Sequence, residues 1–217
     1  MLRNPIPHWA SAMNAPHLPQ GRASPEARLL RIAAEHLARF GARRLTVVGV
    51  AEEAAMTHAN VYRYFPSKAE LIDAVAGQWL KEVEATLADI ADSPDPANDK
   101  LERFVFAIAR SYRVCAETNP HVFDVYVSAV EHSRGIARKH RGRQLRLLER
   151  VIEEGIATDV FRPRDKDRAM AFVIDAVQRY VNPVMARIDV RVPRAVLDDR
   201  LNTMLGVVLR ALAAGMV

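Results

Sequence analysis

Cysteine is almost missing from this chain: its 217 residues contain a single one, Cys115. An intrachain disulfide is therefore excluded, and a reducing cytoplasm is the compartment that fits. Long apolar runs are missing as well. None approaches the ~20 residues needed to span a bilayer, so no membrane partner is expected. Glycine and proline are scarce, at 9 and 12 residues, which excludes collagen-like and low-complexity chains. The N-terminus lacks the apolar core of a secretory signal, because Pro5, Pro7, His8, Asn14 and Pro16 interrupt it. Residues 1–24 carry no period and read as a flexible tail, with Trp9, Arg3 and Arg22 as its notable side chains. The seven histidines show no paired ligand spacing, and with one cysteine no metal site or cofactor is expected. GxSxG, P-loop and GxGxxG patterns are all absent, which leaves catalysis without a candidate constellation and points away from an enzyme.

What is present is helical periodicity and positive charge. Half of the residues are apolar, a quarter are charged and the formal net charge is +5. Residues 21–68 hold 8 basic and 4 acidic side chains. Residues 134–150 hold 7 basic side chains (Arg134, Arg138, Lys139, Arg141, Arg143, Arg146, Arg150) against one acid, Glu149. A positive balance permits polyanion binding without showing it. The second cluster reads either as a solvated helix face, with Leu145, Leu147, Leu148 and Val151 turned inward, or as a site for an anionic ligand or partner.

From Ser24 onward the apolar spacing is three and four. Ser24-Pro25-Glu26 is a helix start: a capping hydroxyl, a proline in the first turn, then an acid near the positive end of the helix dipole. Leu29, Ile32, Ala33, Leu37 and Phe40 make its apolar stripe, and Gly41 stops it. Breaks follow at Asp92–Pro96, Asn119-Pro120, Phe161–Pro163 and Val190–Pro193. The fold class is all-α, with about nine helices.

The informative stretch runs from Leu45 to Leu71, LTVVGVAEEAAMTHANVYRYFPSKAEL. Thr46 can cap one short helix and Thr57 a second, with a tight turn at Ala55-Met56 between them. Pro66 ends the second, and Ser67 with Glu70 forms a capping box for the next. Two short helices joined by such a turn make a helix-turn-helix. Thr57, His58, Ala59 and Asn60 occupy the first turn of the second helix, where side chains can reach base edges. Ala59 is small enough for close approach, and Asn60 can bond two edge atoms of adenine. Tyr62, Tyr64 and Lys68, with Thr46, can hold phosphates. Tyr62 and Tyr64 are two apart, so they cannot both face one core. Arg43 and Arg44 are either backbone contacts or solubilising charges.

The run VYRYFPSKAEL after a cap-like threonine resembles the signature of the TetR family of bacterial transcriptional regulators. Thr46, Ala51, Val61–Phe65, Pro66-Ser67-Lys68 and Glu70-Leu71 carry the resemblance, over roughly residues 25–75. It implies a DNA-binding domain over 25–70, a ligand-binding and dimerisation domain over 71–217, a homodimer on a palindromic operator, and release of double-stranded DNA by a small-molecule effector. Two positions depart from the pattern: Ala55 stands where the family usually has glycine, and Gly49 lies inside the first short helix. They leave open a second reading, a helical small-molecule-binding or protein-interaction module with a non-functional helix-turn-helix.

By that resemblance the pocket lies between the middle helices, with Trp79, Phe104, Ile108, Tyr112, Phe123, Tyr126, Val130, Phe172 and Ile174 as candidates and an apolar or aromatic ligand expected. Tyr112 and Tyr126 each offer a hydroxyl to orient it. Most of these side chains are equally good core. The last two helices, about 166–187 and 193–214, are the expected dimer surface, through Leu197, Leu201, Met204, Leu205, Val208, Leu209 and Leu212. The plainer alternative is that this stripe closes the monomer's own core. Cys115 reads as a buried structural thiol, or as a redox sensor if a neighbouring arginine lowers its pKa.

Overall fold

A computed structural model describes residues 24–217. The tail assigned to residues 1–24, with Trp9, Arg3 and Arg22, lies outside them apart from Ser24. The described residues form α1 (Pro25–Arg44), α2 (Val47–Glu53), α3 (His58–Tyr64), α4 (Lys68–Asp92), α5 (Ala97–Thr118), α6 (Pro120–Glu131), α7 (Gly135–Ala157), α8 (Lys166–Val181), α9 (Pro183–Ile188) and α10 (Arg194–Ala213). A single 3-10 turn, Asp189–Arg191, precedes α10, and no strand occurs among the described residues. The chain is all-α. None of these helices is long and apolar enough to cross a membrane. By compactness the chain divides into two units, Met1–Glu82 and Val83–Val217. That boundary lies within α4, whereas the division implied by the resemblance falls at residues 70–71.

In the first unit the caps form as the sequence implies. Ser24 Oγ accepts from the Ala27 N–H at 3.2 Å, Thr46 Oγ1 from Gly49 at 3.1 Å, Thr57 Oγ1 from Asn60 at 3.3 Å and Ser67 Oγ from Glu70 at 3.1 Å. Each hydroxyl satisfies one orphan N–H of its helix. Gly41 has φ 74° and interrupts α1, and one further turn then runs to Arg44. Leu29, Ile32, Ala33 and Leu37 are buried as their spacing predicts. Phe40, expected on the same stripe, is 42% exposed. It lies under the Arg39 guanidinium and beside the His36 ring instead.

The turn after α2 is closed by two bonds, Met56 N–H to Ala51 O at 2.9 Å and Ala55 N–H to Glu52 O at 3.0 Å. That pattern needs a left-handed residue, and Ala55 supplies it at φ 50°. Its Cβ costs on the order of 1 kcal/mol there. Gly49 permits a close approach, but to side chains rather than to backbone: a Cβ would meet Thr46 Oγ1 at 3.1 Å and His36 Cε1 at 3.4 Å.

In the second unit α5 is the central helix, packed against α6, α7, α8, α9 and α10. Leu101, Phe104, Val105, Ile108, Ala109, Tyr112 and Cys115 bury its face. Lys100 is buried too, its ammonium donating to Ala91 O and to both Glu154 oxygens. Such a charge is tolerated only because it is paired and hydrogen-bonded. The expected helix over 166–187 is in fact two. Pro183 has no N–H to continue α8, and Asn182 Oδ1 accepts from Val184 and Met185 to start α9. At the end of α7 the Phe161 ring lies directly on Gly155, where a Cβ would come within 2.0 Å of the ring.

Candidate functional site

The first unit presents α3. Its inward side is Val61, fully buried, followed by buried Phe65. Its outward side carries His58, Ala59, Tyr62 and Arg63, all exposed, and α3 contains no acid. Tyr62 is 42% exposed and takes the His58 ring edge-on at 5.2 Å between centroids. Asn60 and Tyr64 are half-buried, Tyr64 lying under the Arg63 guanidinium. The two tyrosines thus diverge as their spacing requires. Thr46 and Thr57 are exposed, and each hydroxyl accepts from its helix while its own hydrogen stays free to donate. Lys68 is half-buried and donates to Arg43 O at 3.1 Å, so it already ties the end of α1 to the start of α4. Arg43 and Arg44 are exposed. Arg63 was not singled out from the sequence as a contact. Its exposure beside Tyr62 adds a cation to the same face.

The second unit contains a cavity of about 230 Å³. Phe104, Ile108, Tyr112, Tyr126, Val130 and Ile174 line it, six of the nine side chains expected from the sequence. Trp79, Phe123 and Phe172 do not. Trp79 falls in the first unit and is buried there. Phe123 is core, tilted against Tyr112 and Tyr126, and Phe172 is half-buried on α8. The stripe of α7 completes the wall with Ala137, Arg138, Arg141, Gln144, Leu145 and Leu148. These positions recur every three or four residues, so one face of the helix supplies them.

The two tyrosine hydroxyls meet each other at 2.9 Å. Tyr112 also contacts His140 Nε2 at 3.2 Å and accepts from Gln144 Nε2 at 3.0 Å. His140 is buried, with Nδ1 2.8 Å from Glu84 Oε1. Glu84 in turn pairs with Arg143. The hydroxyls expected to orient a ligand are therefore engaged with protein partners. Burial pushes the Tyr112 hydroxyl up to about 12, against smaller lowering effects of its hydrogen bonds and the Arg141 charge. Burial also lowers His140 from its ordinary 6.5, only partly offset by the Glu84 bond and charge. A neutral imidazole with its proton on Nδ1 donates to Glu84 and leaves Nε2 as an acceptor for Gln144, which fits this network. No spacing signal marked His140, because two of its partners, Glu84 and Tyr112, come from other helices.

A folded value below 6.5 means that the unfolded chain takes up this proton first. Stability is thus present above pH 6.5 and lost as pH falls through the folded value. Urea midpoints measured between pH 7.5 and 5 are expected to fall, and His140→Gln is expected to flatten that decline. A decline of the same depth in the variant would show that other groups cause it.

Three other basic side chains of the 134–150 run differ in their partners. Arg143 pairs with Glu84 and Arg150 with Asp92, while Arg134 donates to Val125 O. Cys115 is buried and its thiol is pushed up by desolvation, the opposite of a reactive thiolate. The expected dimer stripe behaves as the plainer alternative has it. Leu197, Leu201, Leu205, Val208 and Leu212 are buried within the single chain, and Met204 and Leu209 are half-buried. They pack inward because α10 lies against α8 and α5. The outward side of α10 instead shows Val196, Thr203, Val207 and Arg210.

Residues 29–75 match the family described as "Bacterial regulatory proteins, tetR family", and residues 97–193 match "Tetracyclin repressor-like, C-terminal domain". The HTH-type transcriptional repressor KstR2 of Mycolicibacterium smegmatis is 24% identical over 167 residues, covering 74% of this chain and 80% of that protein. Among solved structures, a Rhodococcus protein of unknown function superposes with a TM-score of 0.67 at 19% identity, covering 91% of this chain and all of the other. RolR in complex with resorcinol gives 0.58 at 20% identity, covering 90% and 92%. The matched stretches contain both the capped helix pair and the helices around the cavity, and the chain belongs to the TetR family of transcriptional regulators.

Proposed function

We propose that the chain is a dimeric repressor that sets α3 into the major groove of a palindromic operator and leaves it when a small molecule fills the cavity. The observation that carries the reading is the outward face of α3: His58, Ala59, Tyr62 and Arg63 exposed on an acid-free helix held between two capped neighbours. In this reading His58, Ala59 and Asn60 meet base edges, and Thr46, Thr57, Tyr62, Tyr64, Arg63 and Lys68 meet phosphates. Lys68 does so only by exchanging its bond to Arg43 O for a phosphate. The six expected cavity residues, with the α7 wall, form the effector site. The dimer uses the outward side of α10, where Val207 is 45% exposed, and sets the two α3 helices about one turn of DNA apart, ~34 Å.

The test is selection of bound sequences from a random duplex library at near-physiological salt. A palindrome is expected. On the recovered site, His58→Ala is expected to weaken binding selectively, and Lys68→Ala to weaken all duplexes and lower the salt slope by about one unit. Folded, dimeric protein, stripped of co-purified small molecules, that enriches no sequence would instead support the binding-module reading.

A further inference from the structure

Charge around the cavity is one-sided. Its lining includes Arg138 and Arg141 and no aspartate or glutamate. The remaining walls are mostly apolar, with Phe104, Val105, Ile108 and Leu148 among them. Arg138 and Arg141 are three residues apart on α7, hence on one face. Several other cations of this unit have acids: Arg143 has Glu84, Arg150 has Asp92, Lys100 has Glu154, and Lys166 has Glu149 and Glu153, whereas Lys139 and Arg146, which lie outside the lining, have none among the described residues. By contrast, the bond of Arg138 goes to the Ser133 carbonyl. The Arg141 side chain has no ion pair or hydrogen bond among the described residues. Of the other polar lining residues, Tyr112, Tyr126 and Gln144 are joined by hydrogen bonds to one another and to His140. Apart from those bonded groups the lining offers the neutral side chains of Ser133, Gln178 and Asn182, and its charged groups are the two guanidiniums, set beside mostly apolar walls.

We infer that the effector is an amphipathic carboxylic acid, its apolar skeleton in the cavity and its carboxylate on Arg138 and Arg141. The inference rests on reading the cavity as the effector site. A guanidinium matches a carboxylate with paired N–H donors, whereas an alcohol offers no charge to it and an amine is repelled.

Matched probes separate these cases: 4-phenylbutyrate, 4-phenylbutanol and 4-phenylbutylamine, with decanoate and decanol as an aliphatic pair. Each is titrated into the full-length protein by calorimetry. The acids are expected to bind about tenfold or more tightly than the alcohols, and the amine weakest. Arg141→Gln and Arg138→Gln are expected to weaken the acids by about tenfold and leave the alcohols within about threefold. Arg146→Gln, outside the lining, is expected to change neither. Equal affinity for acid and alcohol, or preference for the amine, overturns the inference and leaves the cavity reading intact. So does binding of the acids that survives both glutamine variants. Absence of binding by any acid also overturns it. Failure of the cavity reading has a different mark: Ile174→Trp, which fills the chamber from a half-buried position, would then leave acid binding unchanged.

Discussion

Gly155→Ala is expected to destabilise the second unit by about 3 kcal/mol or more, and Phe161 is the reason. The new Cβ would stand 2.0 Å from Cδ2 of that ring, well inside contact distance. Neither side can yield cheaply. Gly155 is buried in α7, and its carbonyl accepts from both Val160 and Phe161, so the backbone that carries the ring is tied to the residue it packs on. The ring itself is only 2% exposed. Moving it out would empty a phenylalanine-sized space, and that substitution class costs about 3–5 kcal/mol. Thermal melts are expected to drop by on the order of 10 °C. The double variant Gly155→Ala/Phe161→Ala isolates the cause, because the added methyl then has room. Its cost is expected to fall clearly short of the two single costs together. Additive costs would mean that the clash is relieved elsewhere.

Ala59→Glu is expected to abolish operator binding while leaving the fold unchanged. Ala59 is exposed in the first turn of α3, so the longer side chain meets no core and stability is expected to stay within about 0.5 kcal/mol. On DNA the same carboxylate would be driven toward base acceptors and phosphates. Unfavourable charge juxtaposition of this kind costs several kcal/mol, or a hundredfold and more in affinity. Electrophoretic shifts on the selected palindrome, beside melts of the free protein, check both halves. Retained binding would displace α3 from the groove. Ala59→Ser, small and neutral, is the control expected to bind within a few-fold.

Local chemistry was the most legible part of this chain. Ser24, Thr46, Thr57 and Ser67 each bond the N–H three residues on, because a cap depends only on its own neighbours. Ala55 was marked only by the resemblance, as an alanine where the family usually has glycine, and it does take the left-handed conformation at φ 50°. Ser133 and Asp159 take the same conformation after α6 and α7, with φ of 50° and 59°, and neither residue announced it. Long-range pairing was less legible. Leucine stripes look alike whether they face a second subunit or their own core, and the α10 stripe proved to be core. His140 shows the complementary gap. A histidine between two basic residues reads as solvated surface until α4 and α5 bring Glu84 and Tyr112 to it. Six of the nine side chains that the family resemblance proposed for the cavity do line it. Gln144 was not foreseen, and Arg138 and Arg141 were seen only as members of a basic run with an anionic-ligand site as one of two readings, since polar residues at wall positions look like an exposed helix face.

The lone thiol has a practical consequence for spectroscopy. Cys115 is buried and its thiolate is disfavoured by desolvation, so alkylating reagents at neutral pH should pass it by in the folded protein. A cysteine introduced at an exposed position becomes the single labelling point without any background removal. Placed at Arg63 on α3, a nitroxide on each subunit of a dimer would turn the separation of the two helices into a directly measured distance distribution. Recording it with and without a phenylalkanoate would show whether effector loading widens, narrows or merely broadens that distribution.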